Sequence, residues 1–410
     1  MTASNKRRNG APLSPYRVIE VADEKGVYCG KLLAEFGADT VKIERPGGDE
    51  TRSIPPFAGD DPHPEKGFFF LYYNRHKRGI TLNIECRDGQ EIFKRLVSDA
   101  DVVVESLSPG HLDSLGLGYS ALAEANPSLI MTSITGFGQN GPYRDFKTTE
   151  LISFAMGAMF QCGEPSRPPS VSPILMALHN TALHAALATL IALRHRSVTG
   201  AGQHVDIAIH DVSATSIGEG MATRWLNFEE IVTRHGSQHT TAPAAIYPCK
   251  DGHAYVVGGL VPGNAPGSWP SFVEWIGSPE VLAEPVWEDP NFRRQNVDVL
   301  NPYITEHTMK YTKAELYKEG QARHFPIAPV QTPADFFDSP QTKARGFFVE
   351  GDHPVVGRQL YPGSPYNLAV PWEAIERPAP LIGQHNAEVY CGELGLSSEE
   401  LCALSASGVI

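Results

Sequence analysis

The chain has 410 residues, 41% hydrophobic and 20% charged, which is enough for one large domain plus a smaller one, each around a buried core. A formal net charge of -13 repels a phosphate backbone or an anionic bilayer, so no nucleic acid and no membrane are expected as partners. The six cysteines are scattered with no CxxC pair, which points to reduced structural thiols and no metal site.

Residues 1–14 form a polar leader that runs into no apolar h-region, and no later stretch has the apolar length of a membrane span, so a cytoplasmic location is expected. Tyr16 to Val21 reads as a buried strand. A helical pattern follows through Lys31, Leu32, Leu33 and Phe36, and Thr40 to Glu44 reads as a second strand. Gln90 to Val97 reads as helix, Val102 to Val104 and Leu129 to Ile134 as strands, Leu175 to Arg196 as a long helix, and Val205 to Ile209 as a further strand. Repeated alternation of this kind predicts an α/β fold, a Rossmann-like doubly wound parallel sheet over residues 15–215.

The first turn, Ala22-Asp23-Glu24-Lys25-Gly26, lacks the GxGxxG pattern that brings a helix N-terminus against a pyrophosphate, which argues against a nicotinamide enzyme. A smaller α/β domain is expected over residues 216–330. Residues 331–410 are expected to return to the large domain, with 332–372 wrapping a surface as a Pro- and Gly-rich segment before C-terminal helices.

Five ordered motifs stand out. They are Leu32-Leu33-Ala34-Glu35-Phe36-Gly37-Ala38-Asp39 running on to Glu44-Arg45-Pro46-Gly47, then Asn74-Arg75-His76-Lys77-Arg78, Glu105-Ser106-Leu107-Ser108-Pro109-Gly110, Ile134-Thr135-Gly136-Phe137-Gly138 and Thr199-Gly200-Ala201-Gly202-Gln203. Together they resemble the family III CoA-transferases, the formyl-CoA transferase and carnitine CoA-transferase group. The resemblance implies ring-shaped chains interlocked in a dimer, with acyl-CoA esters as substrates and no permanently bound cofactor. It also implies covalent catalysis, in which an aspartate carboxylate attacks a thioester, passes through an anhydride and carries CoA as an aspartyl thioester.

In that family the aspartate lies a fixed distance after a Pro-Pro pair and before the TGxGQ turn. Counting from Pro168-Pro169 or back from Thr199 places Leu178 there, and residues 174–180 contain no carboxylate. An isobutyl group cannot attack a thioester. The resemblance leaves Glu150 as a substrate-facing carboxylate, Arg45 and Lys77 as phosphate partners, and Ser106 and Leu107 where the adenine side of CoA is held, with Ser114 in place of an expected arginine. For Arg45 and Lys77 an ordinary ion pair is an equal alternative.

These residues imply a subunit lacking its nucleophile, paired with a paralogous catalytic CoA-transferase subunit. The two-subunit succinyl-CoA:benzylsuccinate CoA-transferase of anaerobic toluene breakdown is the family precedent, pairing an aspartate-bearing subunit with one lacking it. An acyl-CoA isomerase, racemase or lyase, or a non-enzymatic acyl-CoA-binding protein, is the alternative. The loop Gly258 to Gly263 resembles the family's lid; His179, His184 and His195 fall on no common helix face and read as structural or partly exposed, and His235 and His239, at i, i+4 spacing but separated by Gly236 and Ser237, read as loop rather than a metal site.

Overall fold

A computed structural model of the chain describes residues 10–157, 168, 174–215, 226, 227, 229, 243–369 and 376–410. Among these, 10–157, 174–215 and 346–410 form one compact unit, and 243–345 belong to a second.

The first unit is a six-stranded parallel sheet. In chain order its elements are β1 (Arg17–Val21), α1 (Val27–Glu35), β2 (Asp39–Glu44), α2 (Phe68–Tyr73), β3 (Arg78–Thr81), α3 (Arg87–Ser98), β4 (Val102–Glu105), α4 (His111–Ser114), α5 (Tyr119–Ala125), β5 (Ile130–Thr135), α6 (Glu150–Met156), α7 (Met176–Thr199), β6 (Gln203–Ala208) and α8 (Ile209–Thr215). The strand order β3-β2-β1-β4-β5-β6 reverses direction between β1 and β4. In open α/β sheets the crevice beyond the carboxyl ends at such a reversal is where ligands bind.

Both faces are covered, so the inner strands are apolar on each side. Ile19, Val103 and Met131 meet α3, α5 and the C-terminal Val409 and Ile410 in one core, while Val18, Val102, Val104 and Ile134 meet α1 and α7 in another. Helix α7 has alanines along its packed side, Ala182, Ala185, Ala186 and Ala192, which let it lie close to the strands. No stretch of membrane-spanning length is expected from the sequence, yet α7 is long and apolar enough for one by length and composition. Half of its apolar window is buried inside the unit.

The free edge of β3 is closed from far along the chain. His385 N donates to Gly79 O at 2.9 Å, Thr81 N to Asn386 Oδ1 at 2.9 Å, and Tyr390 Oη to Thr81 O at 2.6 Å. Arg78 joins Asp39, Glu388 and Glu393 beside it.

The second unit carries a three-stranded antiparallel sheet, β7 (Ala244–Cys249), β8 (Gly252–Val257) and β9 (Ile327–Pro329), packed on an aromatic core of Trp269, Phe272, Trp275, Trp287 and Phe325. Helices Pro333–Asp338 and Pro340–Ala344 belong to this unit, and the chain rejoins the first at Gly346. The sequence of residues 332–372 carries few periodic runs. There a Thr332–Asp335 capping box and first-turn prolines start the two helices, and β10 (Phe348–His353) pairs with β11 (Gly357–Pro362) as an antiparallel hairpin.

Candidate functional site

At the reversal point, the turn after β1 meets the turn after β4. Asp23 N donates to Ser106 Oγ at 2.9 Å and Ser106 Oγ donates to Asp23 Oδ1 at 2.7 Å, which ties the two strand ends together. Gly26, which opens α1, has to be small here, because a Cβ would lie 2.9 Å from that of Ala22 and 3.2 Å from that of Ser106. Ser106 is fully buried, so its hydroxyl serves this lock, while Leu107 is half-buried against the core.

The two expected phosphate partners are placed very differently. Lys77 is fully buried, and its Nζ donates to Glu20 Oε1 at 2.9 Å, Val27 O at 2.9 Å and Asn74 Oδ1 at 3.0 Å. With three acceptors for three N–H bonds, nothing remains for a phosphate, and the expectation for Lys77 is corrected to a framework role. Burial pulls its pKa below the usual lysine range, with Glu20 opposing. Arg45 instead has a side chain 64% exposed, held loosely to Glu50 at 3.0 Å. It borders an open cavity of about 290 Å³ with Gly47, Gly48 and Asp49, and its guanidinium remains accessible to an anion. Ser114 is exposed and bonds back to His111 O at 2.7 Å.

At the other flank of the sheet, α6 and α7 meet at their N-termini. Leu178 lies in the first turn of α7 and is 5% exposed, packed in the cluster that contains Val18, Val102 and Ile134. The Glu150 carboxylate reaches across from α6. Its Oε1 accepts from Ala177 N at 2.9 Å and its Oε2 from Leu178 N at 3.1 Å. No side chain of α7's own N-cap, Leu175, does this, so Glu150 supplies the cap and complements the helix dipole. The expectation of a substrate-facing carboxylate is therefore refined, since both oxygens are engaged with backbone N–H groups.

Sequence reasoning set His179 aside as structural. In the structure its Nε2 meets the Tyr73 hydroxyl, and its ring lies 5.1 Å from that of Tyr28. Burial lowers the His179 pKa, so the imidazole is neutral near pH 7. The signal that would have found this pair is the Tyr72-Tyr73 doublet preceding the Asn74 motif. His184 Nδ1 instead accompanies Asn180 O at 2.9 Å along the helix. Pro169, His235 and His239 lie outside the described residues. Among the described residues no group of His, Cys, Asp and Glu is arranged to hold a metal. In the second unit, Gly258 abuts Phe272 and Gly259 O accepts from Arg293 Nη2 at 3.2 Å, so this end of the glycine loop is packed.

The sequence model of CoA-transferase family III matches residues 13–386. The chain is 31% identical over 409 residues to the succinyl-CoA:(R)-benzylsuccinate CoA-transferase subunit BbsE of Thauera aromatica, covering 97% of this chain and 98% of that protein. It is 32% identical to the succinyl-CoA–L-malate CoA-transferase beta subunit of Chloroflexus aurantiacus, covering 97% and 98%. Among solved structures, a CAIB/BAIF family protein from Brucella suis superposes with a TM-score of 0.83 at 31% identity, covering 94% of this chain and all of that one.

Proposed function

The chain belongs to CoA-transferase family III, and we propose that within it the protein is a non-catalytic subunit that completes an interlocked dimer with an aspartate-bearing paralogue. The reaction so assembled moves CoA from succinyl-CoA to a carboxylic acid of the benzylsuccinate kind. One observation carries this reading. The position that needs an ionised nucleophile is the buried Leu178, and the nearest matched carboxylate, Glu150, is spent on capping α7.

Two further observations support a partner. Helix α7 exposes Leu183, Leu187, Leu190, Ile191 and Val198 on one side, and Leu151, Ile152 and Met156 of α6 are exposed as well. An apolar stripe of this length is the kind of surface that a second chain covers. The names of two relatives describe subunits, and both carry succinyl-CoA as donor.

The test is transfer from succinyl-CoA to benzylsuccinate by the purified chain, alone and mixed with an aspartate-bearing paralogue. Activity is expected only in the mixture. Turnover by the chain alone, with mass spectrometry excluding a contaminating paralogue, refutes the proposal. Leu178→Asp is expected to restore little, because about 1 Å of misplacement costs roughly a hundredfold and an apolar surround holds a carboxyl neutral. Stoichiometric hydroxylamine trapping of an acyl-enzyme at position 178 would instead show that only the nucleophile is missing.

A further inference from the structure

Away from Leu178, three polar side chains form a row on one face of the sheet. Glu105 at the end of β4 and Ser133 on β5 are register neighbours, and His204 stands on the adjacent β6. The Ser133 hydroxyl stands beside the Glu105 carboxyl as its register neighbour and lies 2.8 Å from His204 Nε2. Glu105 is buried, whereas His204 is exposed, with Tyr119 stacked on its ring at 5.4 Å. The row borders a cavity of about 190 Å³, which Asp113, Gln139 and Arg144 also line. A buried acid thus reaches solvent through one hydroxyl and one imidazole.

The other end of Glu105 faces the reversal point. Its Oε2 accepts from Leu107 N at 2.8 Å, which fixes the turn Ser106–Leu107. Burial pushes the carboxyl up to about 7, with Ser133 and the Leu107 N–H opposing, so both protonation states are populated near neutral pH. Tyr119 stacked on one face shields His204 from water in part, and this desolvation lowers its pKa, with Asp206 and Asp113 opposing. The charged groups around the row are Asp23 and Lys25 from the turn after β1, Asp113 on α4, Arg144 after β5, and Asp206, which sits on β6 and accepts from Gln139 N.

We propose that Glu105 is a positioning residue for the CoA-facing turn Ser106–Leu107, exchanging its proton with solvent through Ser133 and His204. The assignment of that turn to CoA rests on the transferase reading above. On deprotonation the carboxyl O–H breaks as Ser133 Oγ takes the proton, and the hydroxyl's own proton passes to His204 Nε2. The imidazolium then releases a proton to water from Nδ1. The carboxylate left behind grips the Leu107 N–H in a charge-assisted bond and holds the turn for the ligand. Protonation weakens that grip.

The experiment uses the full chain with CoA itself, by calorimetry from pH 6 to 8, together with the Leu107 amide resonance in ¹⁵N-leucine-labelled protein. Wild-type affinity is expected to gain about fivefold on Glu105→Gln across that range, a comparison that cancels titration of the CoA phosphates. The Leu107 amide is expected to titrate near pH 7 in the wild type and not in Glu105→Gln. Ser133→Ala removes a donor to the carboxylate, so its inflection moves to higher pH. A constant affinity ratio overturns the coupling to CoA. An amide that does not titrate, or an inflection unmoved by Ser133→Ala, overturns the relay, and this arm stands even where Glu105→Gln does not fold. Absence of CoA binding at every pH, with the amide still titrating, would fault the CoA reading of the turn and leave the relay intact.

Discussion

At the carboxyl ends of β1 and β4 polar side chains are present but engaged with one another, whereas at the N-terminus of α7 the position where the family resemblance expects a nucleophile is itself a leucine. Ser106 bonds Asp23, and Lys77 nearby spends its three N–H bonds inside the protein. At α7, Leu178 is core, and the backbone N–H groups of Ala177 and Leu178 are taken by Glu150. Polar identity alone therefore does not mark a ligand contact in this chain. The number of unfilled hydrogen-bonding positions does, and by that measure Arg45, rather than Lys77, remains available.

The sharpest way to break this comparison is Lys77→Met. If Lys77 is framework, the substitution leaves the buried Glu20 with only Lys42, at 3.5 Å, and costs about 3 kcal/mol in urea unfolding. A stable variant with weakened CoA binding would instead return Lys77 to the ligand. Glu150→Ala comes next. Removing the cap from α7 is expected to lower stability by about 1 kcal/mol, and hydrogen exchange should quicken at the amides of Ala177 and Leu178. Unchanged protection at those two amides would show that the carboxylate is not held there in solution. Smallest in stability is Arg45→Gln, which removes an exposed pair worth about 0.5 kcal/mol or less. Its expected signature is a CoA affinity reduced about tenfold with an unchanged unfolding midpoint, and loss of both together would make it structural.

Much of this was readable in the sequence where the signal is local. Short continuous apolar runs located β1, β4 and β5. What escaped depends on partners far along the chain. Lys77 looks like a member of an exposed basic run until Glu20, 57 residues earlier, is seen against it. The Ser106–Asp23 lock spans 83 positions and the Glu150 cap 27, so neither leaves a periodic trace. The β10–β11 hairpin was missed because its residues are only partly buried and carry Gly, Pro and Asp, which blur the two-residue period.

The closure of β3 by the C-terminal segment bears on synthesis. Tyr390 follows Thr81 by 309 positions, so at translation speeds of about 5–20 residues per second the strand emerges roughly 15–60 s before the residues that cover its edge. Throughout that interval the nascent sheet presents unpaired backbone groups on β3, the condition under which strands from neighbouring chains join. Emergence of residues 385–390, rather than of the α/β core, is the moment at which the edge of β3 becomes safe from neighbouring chains.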